Sequence, residues 1–179
     1  RNTSGAMVLA LNGMALRMLH EAWRKENVQK TYLALVIGET PGEGEVDSPL
    51  LKAGEDNIVG IDASRGRKAL TRFRKISGDS SVSLLLVELL TGRPHQARVH
   101  LASIGHPLIG DIKYGDRKAN AEWRLLGVQR PMLHSRSLEF RDLSAPLGHL
   151  SGKKFLALPP PDFMGILSSR GWRLYNRGV

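Results

Sequence analysis

The stretch "VSLLLVELL", Val82 to Leu90, constrains the fold more than any other, with only Ser83 and Glu88 polar in nine residues rich in Leu and Val. Such a run belongs to a central strand. Strand signals surround it. An apolar stretch, Ala6 to Leu11, follows an opening Arg-Asn-Thr-Ser-Gly turn and reads as a first buried strand, and "KTYLALVIGE", Lys30 to Glu39, reads as a second. "KALTRFRKI" alternates, with Ala69, Thr71 and Phe73 on one face and Leu70, Arg72 and Arg74 on the other. Residues 52 to 66 are loop-like apart from a short strand at Ile58 to Ile61, and "LHSRSLEF" is the last clear strand.

Helices are inserted unevenly among these strands. Met14 to Asn27 places Ala15, Leu16, Leu19, Ala22 and Trp23 at three- and four-residue spacing, with Arg17, Glu21, Arg24 and Lys25 on the other side. Pro94 to Ile104 has Pro in its first turn and Gly105 just past its end. Pro107 to Arg130 reads as irregular, and "FLALPPPDFMGILSS" as a short strand, a proline stop and a final helix. This order predicts an α+β fold with a mixed, largely antiparallel central sheet flanked by helices, in one domain over 1–179.

The chain lacks cysteine, which removes disulfides, thiolate nucleophiles and thiolate metal sites and is compatible with a cytoplasmic location. No run of eighteen apolar residues occurs, so no membrane partner is expected. Lys and Arg number 26 against 17 Asp and Glu, a formal charge of +9 spread along the whole chain. A basic balance of this kind fits a polyanionic partner such as nucleic acid, and equally a merely soluble basic surface.

Several catalytic patterns are missing: a Gly-rich phosphate loop, HExxH and a Gly-x-Ser-x-Gly elbow. His95, His100 and His106 are five and six apart, the wrong spacing for one helical face, and are expected to be hydrogen-bonded structural residues or phosphate neighbours rather than metal ligands. Asp111 and Asp116 in "GDIKYGD" could be a carboxylate pair for a divalent ion, but turn chemistry is the better reading. Arg98 and Ala102 lie one above the other on a helix flanked by Val99 and Leu101, so the guanidinium sits in an apolar stretch and needs an anionic partner, and spacing recommends none within the chain.

"TGRPHQARVHLASIGHPLIGDIKYG", Thr91 to Gly115, closely resembles the R-[TS]-H-Q-[IL]-R-V-H-x…G-H-P-[IL]-x-G-D-x-x-Y-G block of RluA-type pseudouridine synthases. Three further stretches resemble that family's motifs in the right order: "TSGAMVLA", "KTYLALVIG", and "LHSRSLEF" followed by "LPPPDF". Pro94 stands where Thr or Ser is usual, and Ala97 where Ile or Leu is. "SPLLK" and "YGDRKANAEWRLLGVQRPMLHS" are most similar to the subgroup acting on large-subunit ribosomal RNA.

The resemblance implies an isomerase that converts uridine to pseudouridine in RNA, ribosomal RNA above all and transfer RNA otherwise, with no metal and no cofactor. In the family pattern a nucleophilic aspartate is followed by two residues and then Thr-Ser-Gly. That aspartate is therefore expected immediately before Arg1, outside the 1–179 chain, and protein starting at Arg1 should make no pseudouridine. The resemblance further implies that Arg98 pairs with the aspartate and that Tyr32 stacks on the flipped uracil or moves its C5 proton. Without it Tyr32 reads as a packing residue. Lys30, Lys68, Arg72, Arg93, His95 and Gln96 are implied as RNA contacts. The rival reading is a non-enzymatic RNA-binding or ribosome-assembly factor on the same fold.

Overall fold

The computed structural model describes residues 2–53 and 57–174. The strands are β1 (Ser4–Gly5), β2 (Val28–Ile37), β3 (Glu43–Asp47), β4 (Leu50–Ala53), β5 (Ile58–Ile61), β6 (Leu70–Gly78), β7 (Val82–Leu89), β8 (Leu133–Phe140) and β9 (Lys154–Leu156). The helices are α1 (Gly13–Arg24), α2 (Gln96–Ser103), α3 (Arg117–Leu125) and α4 (Pro161–Ser169). Seven strands form one sheet in the order β1-β8-β2-β7-β6-β3, with β9 on β8, and β4 and β5 form a separate pair. Only β1 runs parallel to its neighbour. The α+β class and largely antiparallel sheet expected from the order of elements are what the chain forms.

β7 lies between β2 and β6 in that order, as its apolar composition requires. The alternation of side chains along each strand sends them to two cores. On one face Leu33, Leu35 and Leu84 pack against Phe163, Ile166 and Leu167 of α4. On the other, Ala34, Val36, Leu85, Val87 and Phe73 pack against Ala97 and Leu101 of α2. Leu19 and Ala22 of α1 cover Val28, Leu138 and Phe140.

The chain departs from the sequence reading at several points. Ala6 to Leu11 is not a strand, because Ala157 N–H donates to the Arg136 carbonyl (2.9 Å) and β9 then pairs along β8, occupying the edge that β1 would have to follow. Ala6, Val8 and Ala10 still pack on the α1 core, while Met7, Leu9 and Leu11 stay exposed. β3, absent from the sequence reading, is an acidic edge strand whose one buried side chain is Val46. α3 lies within the stretch read as irregular; Asp116 caps it through Ala119 N–H (2.7 Å). It buries no residue fully, and only Trp123 packs partly buried against the α4 core, so little of its sequence is apolar. α2 begins at Gln96 rather than Pro94.

Candidate active site

β2 places Lys30, Tyr32 and Ala34 on the face that α2 covers. Opposite Tyr32 the ladder to β8 is irregular: Thr31 pairs with Ser137 but Tyr32 pairs with Ser135, so Arg136 is an extra residue in β8. This bulge changes the facing of β8. Ser137 shares the Thr31 side, where their hydroxyls bond, and Ser135 joins Tyr32.

Tyr32 and Ser135 line an open cleft of about 360 Å³ together with Thr3, Ser4 and Gly5 of the opening turn, Leu89 and Leu133, and the α2 entry from Arg93 to Arg98. Gly5 has a φ of +116°, and a Cβ there would lie 2.1 Å from the Ser135 carbonyl oxygen, so only glycine lets the turn lie on β8. Ser4 is held from its side chain. The Ala157 carbonyl can only accept, so the His134 Nε2 hydrogen points to it (3.1 Å) and Nδ1 accepts from the Ser4 hydroxyl (2.9 Å). Burial keeps the His134 imidazole pKa below its usual 6.5.

Arg98 finds the anion that spacing did not identify. Its Nε donates to Asp111 Oδ2 (2.7 Å) and its Nη2 to Asp111 Oδ1 (2.6 Å). Asp111 is fully buried, and its Oδ1 also accepts the Lys113 and Tyr114 amides (3.0 and 3.1 Å). The turn reading of Asp111 therefore omits its main task. Asp111 takes only Nε and Nη2 of Arg98, whose Nη1 has no hydrogen bond among the described residues, and Arg98 lines the cleft. Tyr114 stacks beneath, its ring centroid 4.9 Å from the guanidinium carbon.

Tyr32 is half-buried, and burial pushes its phenol above the usual value of 10.0. The neighbouring Ser135 hydroxyl offsets part of that rise, yet it reaches no hydrogen-bonding geometry and stays buried without a partner. Among the described lining residues there is no carboxylate, while Arg93 and Arg98 both face the cleft. An aromatic ring, apolar floor and cationic rim can hold a flat, uncharged base joined to an anion.

The residues implied as RNA contacts separate into two groups. Arg93 and His95 line the cleft, and Lys68 is exposed beside it, its carbonyl accepting from Arg93 Nε (2.8 Å). The other three have partners within the protein. Gln96 is 1% exposed and uses its whole amide internally. Its oxygen accepts from Thr91 Oγ1 and Arg93 N–H (2.7 and 3.0 Å), and its nitrogen donates to the Leu70 carbonyl and Thr71 Oγ1 (2.9 and 3.0 Å). Gln96 thus shapes the turn into α2 while lining the cleft. Lys30 is buried beneath that turn, its Nζ 3.5 Å from the Thr91 carbonyl, and burial lowers its pKa. Arg72 lies in a row with Glu45, Glu88 and Thr31, on the sheet face opposite Tyr32, and pairs with Glu45 (2.6 Å).

The three histidines are hydrogen-bonded. Thr71 Oγ1 accepts from Gln96 and donates to His100 Nδ1 (2.9 Å), which leaves His100 Nε2–H to donate to the Ser48 carbonyl (2.9 Å). His106 Nδ1 lies 3.0 Å from the Ile37 carbonyl, and His95 Nδ1 lies 2.7 Å from the Tyr114 hydroxyl. No group of three or more His, Asp or Glu among the described residues is placed to hold a metal, and no described helix is long and apolar enough to cross a membrane.

A family model described as RNA pseudouridylate synthase matches residues 1–103. The chain is 38% identical over 141 residues to "Ribosomal large subunit pseudouridine synthase C" of Vibrio cholerae, covering 78% of this chain and 44% of that protein. It is 36% identical over 150 residues to "Uncharacterized RNA pseudouridine synthase" of Chloroflexus aurantiacus, covering 82% and 48%. The chain thus spans about half the length of these relatives. Human RNA Pseudouridylate Synthase Domain Containing 1 superposes with a TM-score of 0.67 at 26% identity, covering 94% of this chain and 76% of that one. Human RNA Pseudouridylate Synthase Domain Containing 4 shares the fold, with a TM-score of 0.75 at 24% identity.

Proposed function

The chain belongs to the RNA pseudouridylate synthase family, and from that premise we propose that it forms the greater part of the catalytic domain of an enzyme that isomerises uridine to pseudouridine in large-subunit ribosomal RNA. The observation that carries this reading is the convergence of Thr3-Ser4-Gly5, Tyr32 and Arg98 on one cleft whose described lining residues include no carboxylate. The family's motif spacing assigns the nucleophilic aspartate to the position immediately before Arg1. Arg98, anchored by Asp111, keeps its Nη1 donors for that second carboxylate and favours its ionised form. The likeness to the Vibrio relatives supports the ribosomal over the transfer RNA substrate, and this substrate implies a cytoplasmic location.

A uridine stacked in RNA is unreachable, so the base is flipped into the cleft and stacks on Tyr32. The aspartate attacks at C1′ or at C6 of the base; the cleft fits either route. The N1–C1′ bond breaks, the uracil turns, C5 bonds to C1′, the bond from the aspartate to C1′ or C6 breaks to return the carboxylate, C5 loses its proton and N1 gains one, which balances as an isomerisation. The Tyr32 phenol has no hydrogen bond among the described residues and is free to act at C5.

The test uses protein carrying the residues encoded before Arg1, incubated with large-subunit ribosomal RNA and with transfer RNA and read by carbodiimide mapping of pseudouridine. Product is expected in the ribosomal RNA, none with protein starting at Arg1, and strongly reduced turnover with unchanged RNA affinity for Tyr32→Phe. Product made by protein starting at Arg1 would refute the placement of the nucleophile. Failure to modify either RNA would overturn the enzymatic reading.

A further inference from the structure

Tyr114 follows the Asp111 turn and packs into the cluster of Leu50, Val59, Ala69 and Val99. Its ring meets the edge of the His95 imidazole with centroids 5.5 Å apart. Its hydroxyl accepts the Val59 amide hydrogen (2.9 Å) and lies 2.7 Å from His95 Nδ1. The Val59 amide takes one lone pair of the phenolic oxygen and leaves its proton available to Nδ1. When that proton is given to Nδ1, His95 Nδ1 is the acceptor and its hydrogen sits on Nε2.

The backbone keeps that ring where it is. His95 has φ 55° and ψ 16°, a left-handed conformation that costs a branched or bulky residue on the order of 1 kcal/mol and is held only where the surroundings enforce it. Here the Gln96 amide pins the turn and Tyr114 takes one edge of the ring. His95 itself lines the cleft with Arg93 and Arg98. Charged groups act on the imidazole from two elements: Arg98 of its own helix, and Lys113 and Asp111 of the following turn. Burial first, then the Arg98 and Lys113 charges, hold its pKa below 6.5. At neutral pH the ring therefore presents one N–H in one direction.

We propose that Tyr114 is a positioning residue which fixes His95 as an Nε2–H donor, and that this donor, beside Arg93, binds a phosphate oxygen of the nucleotide held in the cleft. The cationic rim without a carboxylate selects an anionic acceptor over a neutral one. The inference rests on the pseudouridine synthase reading for the identity of the nucleotide, but its test reads no turnover.

The experiment uses the protein carrying its upstream residues and ¹⁵N spectra of the histidine rings, with uridine 5′-monophosphate and uridine as separate probes. The His95 signals should show the Nε2–H tautomer and move with the monophosphate but not with uridine. Tyr114→Phe keeps the ring under Arg98 and removes the hydroxyl. It should give a mixture of tautomers and weaken monophosphate binding about fivefold, the net worth of one neutral hydrogen bond. Because that variant also leaves Val59 N–H without its acceptor, the comparison is repeated in the His95→Asn background, where asparagine tolerates the left-handed backbone. There Tyr114→Phe should no longer change affinity. An Nδ1–H tautomer in the wild type, an equal response to uridine, or an equal loss in both backgrounds would overturn the inference. Absence of pseudouridine formation with these spectra intact would sink the enzymatic reading and leave this one standing.

Discussion

Arg98 and Asp111 form the strongest test of how the site is built, because each is the other's charge partner. Asp111 is fully buried and the Arg98 side chain is 16% exposed. Arg98→Met strands a buried carboxylate, and removing one partner of a buried pair costs about 3–5 kcal/mol. Asp111→Asn preserves Oδ1 for the Lys113 and Tyr114 amides but turns an NH₂ toward Arg98 Nε. We expect a loss of about 3 kcal/mol, the lower end, since water can reach part of Arg98. In the double variant neither a buried charge nor a donor facing a donor remains. The coupling should be about 2–3 kcal/mol, a change of roughly 30- to 150-fold in the unfolding equilibrium. Urea denaturation followed by the fluorescence of Trp23, Trp123 and Trp172 measures all four corners of the cycle. Losses that add to within about 0.5 kcal/mol would refute the coupled pair. The same argument shows that Arg98→Met alone cannot isolate a catalytic role: it must be compared with the double variant, whose fold is restored and whose nucleophile still lacks its partner.

Gly5→Ala should release the opening turn from β8, lowering RNA affinity and turnover together while the rest of the fold melts normally; an unchanged enzyme would show that the 2.1 Å approach to Ser135 is relieved at no cost. His100 and His134 are buried with pKa values below 6.5, so the unfolded chain takes up their protons first. Stability is then complete above about pH 6.5 and falls as the pH drops below it, before carboxylates such as Asp62 and Asp79, each at about 2, begin to protonate. Melting temperatures from pH 7.5 to 5 check this, and a flat profile contradicts it. Affinity for single-stranded RNA should fall with salt with a log–log slope of roughly 0.7 per phosphate contact, and Arg93→Gln should reduce that slope while Arg72→Gln leaves it unchanged. Equal effects of the two would place RNA on both sheet faces.

The order of elements, the apolar β7 run and the alternation of β6 were legible locally because each is set by which side chains a strand must bury, and burial leaves a period in the chain. Ala69, Thr71 and Phe73 do lie on the inner face, and Arg72 and Arg74 on the outer. Two separate motif stretches, one holding Tyr32 and the other Arg98, likewise pointed to one site, and both residues line one cleft. Tertiary structure decided what lies across the sheet and between loops. Asp111 meets Arg98 because the turn after α2 folds back, a closure that no helical or strand period records. Gln96 is buried in the turn that the left-handed His95 makes, and Lys30 is buried because strand alternation puts it on the β2 face beneath that turn, so both polar side chains hydrogen-bond within the protein. Arg72 is sent to the far face by one step of strand register. Ser135, unmarked in "LHSRSLEF", enters the cleft through one extra residue in β8. A one-residue shift exchanges the two faces of a strand, and only the pairing partner determines which register is taken.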